Sequence, residues 1–250
     1  MTAIKSKTLK LDYFSNMKAF FYLMKPRVMS LVIFTCAVGI LIAPVEINFV
    51  NFTFSLLAVA LGSGAAGALN MWYESDLDSL MTRTCLRPIP TGKLTKNQAL
   101  IFGISSSLIS IIVLYIFSNL IAATTLAVTI LFYVFVYTIW LKRKTPQNIV
   151  IGGASGALPP VIGWAIATNG ISLEPIILFL IIFIWTPSHF WALSLYKTDD
   201  YRKAKIPMLP ITSGIKTTKF NIFIYAVILF PVVLSPYFFN FSGLTYLLFA

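Results

Sequence analysis

Charged residues are scarce in this chain of 250 residues, where Asp, Glu, Lys and Arg together make up 11% and the mean hydropathy is +0.86. Soluble domains carry about 25% of these residues, so the composition excludes an ordinary water-soluble domain. There are also only two cysteines, Cys36 and Cys85, and one histidine, His189. Two isolated thiols make neither a disulfide framework nor a zinc site, so any chemistry must depend on other side chains.

Long apolar segments take the place of the missing charge. Seven of them approach the roughly 20 residues that cross a bilayer, and they predict spans at 28–46, 52–73, 98–118, 120–141, 149–168, 173–196 and 219–239. An eighth begins near Ser242 and stops at Ala250, too short to cross at about 1.5 Å of rise per residue. The sequence predicts an all-α, polytopic membrane helix bundle at 25–250, with C-terminal helices missing, behind a cytoplasmic N-terminal tail at 1–24.

The 19 basic residues all lie in the N-terminal segment and in the second, fourth and sixth loops. The other loops carry only Glu46 and Glu174 as charges. Cytoplasmic loops accumulate Lys and Arg, so we expect the N-terminus to be cytoplasmic, and the net charge of +11 requires no nucleic-acid partner. The short basic N-terminus, which contains Asp12 and no cleavage signal, favours a bacterial inner membrane.

Acidic residues concentrate in two of these basic loops. Five of the eight form clusters, namely Glu74, Asp76 and Asp78 after the second span and Asp199 and Asp200 after the sixth. Basic residues follow each cluster. Carboxylates can hold Mg²⁺, and Arg and Lys can bind the oxygens of a diphosphate and neutralise a leaving group. The two loops together therefore suggest a magnesium-diphosphate site on the inner side.

The first cluster contains a helical stripe. If the second helix continues, Asn70, Glu74 and Asp78 lie about 6 Å apart along the axis and about 40° apart around it. Asp76 is about 200° from Glu74, so we expect it to face elsewhere and not to bind the metal. The alternative is the solvated end of a membrane helix, with its acids paired to the next arginines. Asn70 weakens that alternative, because polar groups at this depth usually face a cavity.

Four stretches resemble those of the UbiA-type membrane prenyltransferase superfamily and, within it, the heme O synthase (protoheme farnesyltransferase) family. They are Lys25-Pro26-Arg27, Asn70 to Pro90, Lys142 to Pro160 and Thr186 to Pro210. The first signature, Asn-x-x-x-acid-x-x-x-Asp at 70–78, identifies the superfamily, with Glu74 where an aspartate is usual. The second loop departs more, because no further aspartate lies four residues from Asp199 or Asp200. The family's nine-helix bundle exceeds the seven spans and supports a missing C-terminal part.

The resemblance implies a reaction: farnesyl transfer from farnesyl diphosphate to a vinyl group of heme B (protoheme IX), giving heme O for heme-copper terminal oxidases. It implies Mg²⁺ as cofactor, with ligands Asn70, Glu74 and Asp78 assisted by Asp199 and Asp200. It also implies Asn70, Glu74, Asp78, Arg83, Arg87 and Asp200 as catalytic residues. Further candidate contacts to diphosphate or heme are Lys93, Lys197, Lys142, Arg143, His189, Lys25 and Arg27. Besides the bilayer, heme A synthase or terminal oxidase assembly is an expected partner.

Other functions stay open on sequence alone. A prenyltransferase of the same superfamily that acts on a quinone precursor or a chlorin would share the metal site. An ion or metal transporter would place ionisable groups at the membrane midplane or on both sides, whereas the clustered acids here lie on the inner side only. A noncatalytic heme-handling membrane protein would leave heme unchanged.

Overall fold

The computed structural model describes residues 17–250, and all regular elements in that range are helices. They are α1 (Met17–Leu23), α2 (Pro26–Leu41), α3 (Phe49–Tyr73), α4 (Ser75–Leu80), α5 (Lys96–Phe117), α6 (Leu120–Leu131), α7 (Asn148–Ala157), α8 (Pro159–Thr168), α9 (Leu173–Tyr196), α10 (Thr198–Lys203), α11 (Leu209–Thr212), α12 (Gly214–Phe238) and α13 (Leu244–Phe249). A π-helical segment, Phe132–Leu141, continues α6.

Within residues 17–250, six spans are long and apolar enough to cross a membrane: α3, α5, α6 with its π-helical continuation, α7 with α8, α9 and α12. Helices α1 and α2 meet at an angle of 55° and together make a possible seventh span. Because α2 has 16 residues, it is only about 24 Å long, less than the roughly 30 Å of a bilayer core. The expectation of an all-α membrane bundle with about seven spans is confirmed.

Residues 17–23, the end of the segment that the sequence analysis assigns to the N-terminal tail, form α1. Ala19 and Leu23 are buried and pack with Ala68 and Met71 of α3 and with Ala99 of α5. Burial of these apolar side chains holds α1 against the bundle. The rest of the expected tail, residues 1–16, lies outside the described residues.

Contacts between neighbouring helices hold the bundle together. Helix α2 packs on α3 and α8, α3 on α5, α5 on α6, α7 on α9, and α9 on α12. Glycines permit the approach of α2 to α8. A Cβ atom on Gly39 would lie 2.3 Å from the carbonyl oxygen of Pro160, and one on Gly163 would lie 2.0 Å from that of Cys36. These contacts leave no room for a side chain, as is typical of membrane helix interfaces.

The C-terminal end of α3 continues into α4 after a single residue, Glu74, whose ψ of 10° interrupts the regular helix. The hydrogen-bond pattern of a helix nevertheless runs through this point. The N–H of Glu74 donates to the carbonyl of Asn70 at 2.9 Å, and the N–H of Asp78 donates to that of Glu74 at 2.8 Å. The spacing of four residues therefore keeps its helical geometry, and Asn70, Glu74 and Asp78 form the stripe that the sequence predicts.

Candidate active site

The stripe (Asn70, Glu74 and Asp78) is buried, with exposed fractions of 2%, 1% and 0%. Asp76 lies outside it, as predicted. Its side chain is 54% exposed and accepts two hydrogen bonds, at 2.8 and 2.9 Å, from the guanidinium of Arg143. Burying two carboxylates is costly unless they are paired or bind a cation. The stripe therefore has the electrostatic character of a site and not of a solvated helix end.

Each stripe residue contacts one basic side chain that comes from a different part of the chain. The pairs are Lys25 Nζ with Asn70 Oδ1 at 2.5 Å, Lys142 Nζ with Glu74 Oε2 at 2.5 Å, and Arg87 Nη1 with both carboxylate oxygens of Asp78 at 2.8 Å. Three basic side chains thus surround three oxygen-bearing side chains. An anion such as diphosphate would find both charge neutralisation and hydrogen-bond donors here.

Lys25 reaches the stripe because the chain bends between α1 and α2. It adopts a left-handed backbone conformation with φ 52°, and Pro26 starts α2 immediately afterwards. Its aliphatic stem passes Gly67 of α3, where an added Cβ would lie 3.5 Å from Lys25 Cγ and Cδ. Arg27, two residues later on α2, is exposed. Of these two sequence candidates, the bend brings only Lys25 to the stripe.

Lys142 follows the last residue of the π-helical segment, with its ammonium 5.7 Å from the centre of the Tyr137 ring. From the same segment, the buried hydroxyl of Thr138 accepts a hydrogen bond from Asn70 Nδ2 at 3.0 Å. Thr138 is a site residue that the sequence analysis missed. A single threonine in an apolar membrane helix gives no signal of its own, because such hydroxyls commonly bond to their own helix backbone.

One oxygen of the stripe has no partner within residues 17–250. Glu74 Oε1 is buried and makes no hydrogen bond, although Oε2 of the same carboxylate contacts Lys142. A buried carboxylate oxygen without a partner carries a desolvation cost that a bound cation would offset. Together with the amide oxygen of Asn70 and the carboxylate of Asp78, it makes a set of hard oxygen donors. The residues present therefore fit Mg²⁺, which prefers such ligands.

A mainly apolar cavity of about 110 Å³ extends from Lys25 and Gly67 into the membrane domain. Along α3 it reaches Val59, eight residues from Gly67, which corresponds to about 12 Å. Apolar residues of four helices line its walls, among them Val28, Val32, Ile130, Pro159 and Ile162. A cavity with a cation at one end and hydrocarbon walls suits a ligand with an anionic head and an apolar chain.

The second acidic loop docks on the first through Asp200. Its carboxylate accepts hydrogen bonds from the hydroxyl and the backbone N–H of Thr82, and the hydroxyl bond holds the pKa of Asp200 below its usual range. Asp199 instead pairs with Arg202, and its side chain is 85% exposed. Asp200 is thus in contact with the loop that follows the stripe, whereas Asp199 faces solvent.

The remaining sequence candidates do not contact the stripe. Arg143 is paired with Asp76, and four further basic residues are exposed: Arg27, Arg83, Lys93 and Lys197. His189 on α9 is also exposed, and its ring stacks on that of Trp185 with centroids 4.4 Å apart. In the part of the chain that the structure describes, no hydrogen bond joins His189 to the stripe.

Comparison with known proteins gives close relatives along nearly the whole chain. The chain is 66% identical to the protoheme IX farnesyltransferase of Pelagibacter ubique over 244 residues, which cover 98% of this chain and 80% of that protein. It is 54% identical to the protoheme IX farnesyltransferase of Ehrlichia ruminantium (strain Welgevonden) over 233 residues, which cover 93% of this chain and 79% of that protein.

Solved structures share the fold at low sequence identity. A digeranylgeranylglyceryl phosphate synthase matches with a TM-score of 0.75 and 20% identity, over 93% of this chain and 81% of its own. A UbiA homologue from Archaeoglobus fulgidus bound to GPP and Mg²⁺ matches with a TM-score of 0.73 and 16% identity, over 90% of this chain and 79% of its own. The model of the UbiA prenyltransferase family matches residues 32–250. This chain belongs to the UbiA prenyltransferase family.

Proposed function

We propose that this protein transfers the farnesyl group of farnesyl diphosphate to a vinyl group of protoheme IX and so makes heme O. The observation that carries the proposal is the buried stripe with its three basic partners, of which Lys25 also lines one end of an apolar cavity. That arrangement suits a prenyl diphosphate. The acceptor is proposed from the relatives at 54% and 66% identity, which are named protoheme IX farnesyltransferase.

The cations of the site act on the diphosphate. Lys25, Lys142 and Arg87 lie where their N–H groups can bind its oxygens and neutralise the charge that develops as the leaving group departs. Asn70, Glu74 and Asp78 would hold Mg²⁺, as proposed from their oxygens and from the magnesium bound by the archaeal homologue. When bound there, the metal would supply Lewis-acid stabilisation of the diphosphate oxygens.

The second loop has a supporting role in this proposal. Through its hydrogen bonds to Thr82, Asp200 holds the second loop next to the segment that carries Arg83 and Arg87. Asp200 is therefore the better candidate of the two aspartates for a second metal contact. Asp199 is a candidate metal ligand, and Arg83, Lys93, Lys197, Arg143 and Arg27 are candidate substrate contacts, only if a bound substrate draws their side chains toward the site.

The apolar cavity would hold the isoprenoid chain and exclude water while the bond between C1 of the farnesyl group and oxygen breaks. C1 then forms a carbon–carbon bond with a vinyl carbon of the heme. Water adds its hydroxyl to the other vinyl carbon, and a proton is released. The products are a hydroxyethylfarnesyl substituent and diphosphate, so atoms and charge balance without an oxidant.

Heme contact is proposed for the exposed, stacked pair Trp185 and His189 on α9. A flat aromatic surface is suited to a porphyrin, and an imidazole can approach its iron or a propionate. The distribution of basic residues supports a bacterial inner membrane with the stripe at the cytoplasmic side. Heme O would pass from there to heme A synthase or to terminal oxidase assembly.

The test is product formation by the purified chain in lipid nanodiscs. Heme B, farnesyl diphosphate and MgCl₂ are added, and heme O is sought by chromatography and mass spectrometry. Asp78→Asn should lower the rate at least about 100-fold, by analogy with loss of one charge-stabilising group, whereas the matched control Asp76→Asn, two residues away and outside the stripe, should stay within a few-fold. Prenylation of a quinone precursor without heme O would contradict the acceptor, and no transfer to either would contradict the proposal as a whole.

A further inference from the structure

The span formed by α6 and its π-helical continuation changes helix type where it approaches the stripe. Residues Phe132–Leu141 are π-helical, and the N–H of Lys142 donates to the carbonyl of Tyr137, five residues before it. Thr138 follows the same register, because its hydroxyl donates to the carbonyl of Tyr133 at 2.9 Å, also five residues before it. Threonines in α-helices of the described chain instead bond four residues back, as Thr129 does to Thr125. π-Helical segments are rare in proteins, and those that occur are often at functional sites.

The hydroxyl of Thr138 fixes the orientation of the Asn70 amide. A hydroxyl has one proton, and the Thr138 proton is directed to the carbonyl of Tyr133, so toward Asn70 the hydroxyl can only accept. The partner must then be the amide nitrogen Nδ2, which lies 3.0 Å away. Asn70 Oδ1 is consequently turned to the opposite side, where Lys25 lies at 2.5 Å. The orientation of an asparagine amide, often ambiguous, is here determined by its neighbours.

The π-helical segment places two consecutive contacts on the stripe. Thr138 contacts Asn70, and Lys142, four residues later, contacts Glu74, four residues after Asn70. Bonding five residues back requires more residues per turn than the 3.6 of an α-helix, so each residue turns less about the axis. An α-helical course from Phe132 would therefore rotate Thr138 and Lys142 away from their present directions. Both contacts depend on the change of helix type.

We propose that Thr138 is a positioning residue for Asn70. It holds the amide with the oxygen toward Lys25 and the NH₂ group toward Thr138 itself. This inference rests on the metal role proposed above for the stripe. An oxygen can bind Mg²⁺, whereas an NH₂ group in the same place would repel it. Without the Thr138 hydroxyl, the NH₂ group loses its partner, and the contact from Lys25 alone keeps the amide oxygen in place for metal binding.

The experiment measures metal binding without turnover. The purified full chain is titrated with Mn²⁺ at saturating inorganic diphosphate, and protein-bound Mn²⁺ is followed by EPR. Thr138→Val keeps the shape but removes the hydroxyl and should weaken Mn²⁺ binding about fivefold to tenfold, as expected for the loss of one hydrogen bond. Thr138→Ser keeps the hydroxyl and should restore binding to within about twofold of the wild type. The control is Thr125→Val in α6, whose hydroxyl bonds only to the carbonyl of Ile121 at 2.7 Å; its affinity should not change.

A double mutant separates positioning from general loss of structure. If Thr138 acts through Asn70, Thr138→Val should add no further loss of Mn²⁺ affinity in an Asn70→Ala background. Three results would each overturn the inference while leaving the proposed function intact. They are equal Mn²⁺ affinity of Thr138→Val and wild type, weak Mn²⁺ binding by Thr138→Ser, and an equal loss of affinity from Thr138→Val in the Asn70→Ala background. A wild-type protein that binds no Mn²⁺ with diphosphate would overturn both this inference and the metal role of the stripe.

Discussion

Lys142 should be more important for stability than its place at a helix end suggests. Its ammonium lies 2.5 Å from Glu74 Oε2, and the two side chains are only 16% and 2% exposed. Because Glu74 Oε1 has no partner in the described chain, Lys142→Met would leave a buried carboxylate with no neutralising contact. Removing one partner of a buried pair costs about 3–5 kcal/mol. At about 2–4 °C per kcal/mol for a chain of this size, the thermal midpoint should fall by roughly 6–20 °C.

The assay is thermal unfolding of the detergent-solubilised protein, without Mg²⁺ or diphosphate and at one fixed scan rate, because membrane proteins commonly unfold irreversibly. Lys144→Met is the matched control, since Lys144 lies two residues away, is exposed and forms no ion pair within residues 17–250. The double variant Lys142→Met with Glu74→Gln removes the uncompensated charge as well. It should recover most of the loss.

Added Mg²⁺ gives an independent readout of the same charge. It should raise the midpoint of Lys142→Met more than that of the wild type, because the carboxylate of Glu74, no longer paired with Lys142, would be free to bind the cation. The reasoning would be refuted if the thermal midpoint of Lys142→Met lay within about 2 °C of that of Lys144→Met, because such a difference corresponds to at most about 1 kcal/mol. It would also be refuted if the double variant were no more stable than Lys142→Met.

Two glycine substitutions test packing near the site. Gly152→Ala should lower the free energy of unfolding by about 1–3 kcal/mol, because its Cβ would lie 2.1 Å from Cδ2 of Tyr137. The control Gly156→Ala has open space and should be neutral or stabilise by up to about 1 kcal/mol. Equal thermal midpoints for the two variants would contradict the packing argument. Gly163→Ala should lower the yield of monodisperse protein in size-exclusion chromatography, since its Cβ would lie 2.0 Å from the backbone oxygen of Cys36; a wild-type yield and elution volume would show that α2 and α8 can separate without loss of the fold.

The spans and the stripe could be predicted because each depends on a periodic pattern. Apolar length locates the spans, and spacing by four residues places Asn70, Glu74 and Asp78 on one side while directing Asp76 to another. The interruption at Glu74 could have destroyed this geometry. It does not, because the backbone hydrogen bonds of Glu74 and Asp78 run on through it.

The basic partners of the stripe could not be selected from the sequence, because in two places neighbouring basic residues have different contacts. Lys25 and Arg27 are two residues apart, yet only Lys25 turns inward, because of a left-handed backbone conformation before Pro26. Lys142 and Arg143 are adjacent, yet one contacts Glu74 and the other Asp76. A count of basic residues treats the members of each pair alike.

The π-helical segment shows most directly why pattern and site diverge. Its residues, Phe132–Leu141, are apolar or aromatic apart from Thr138 and contain neither glycine nor proline, so a helical reading with 3.6 residues per turn is the natural one. That reading gives Thr138 and Lys142 directions that the structure does not have. The register that brings them to Asn70 and Glu74 depends on backbone bonding five residues back, and the apolar pattern of the segment contains no sign of it.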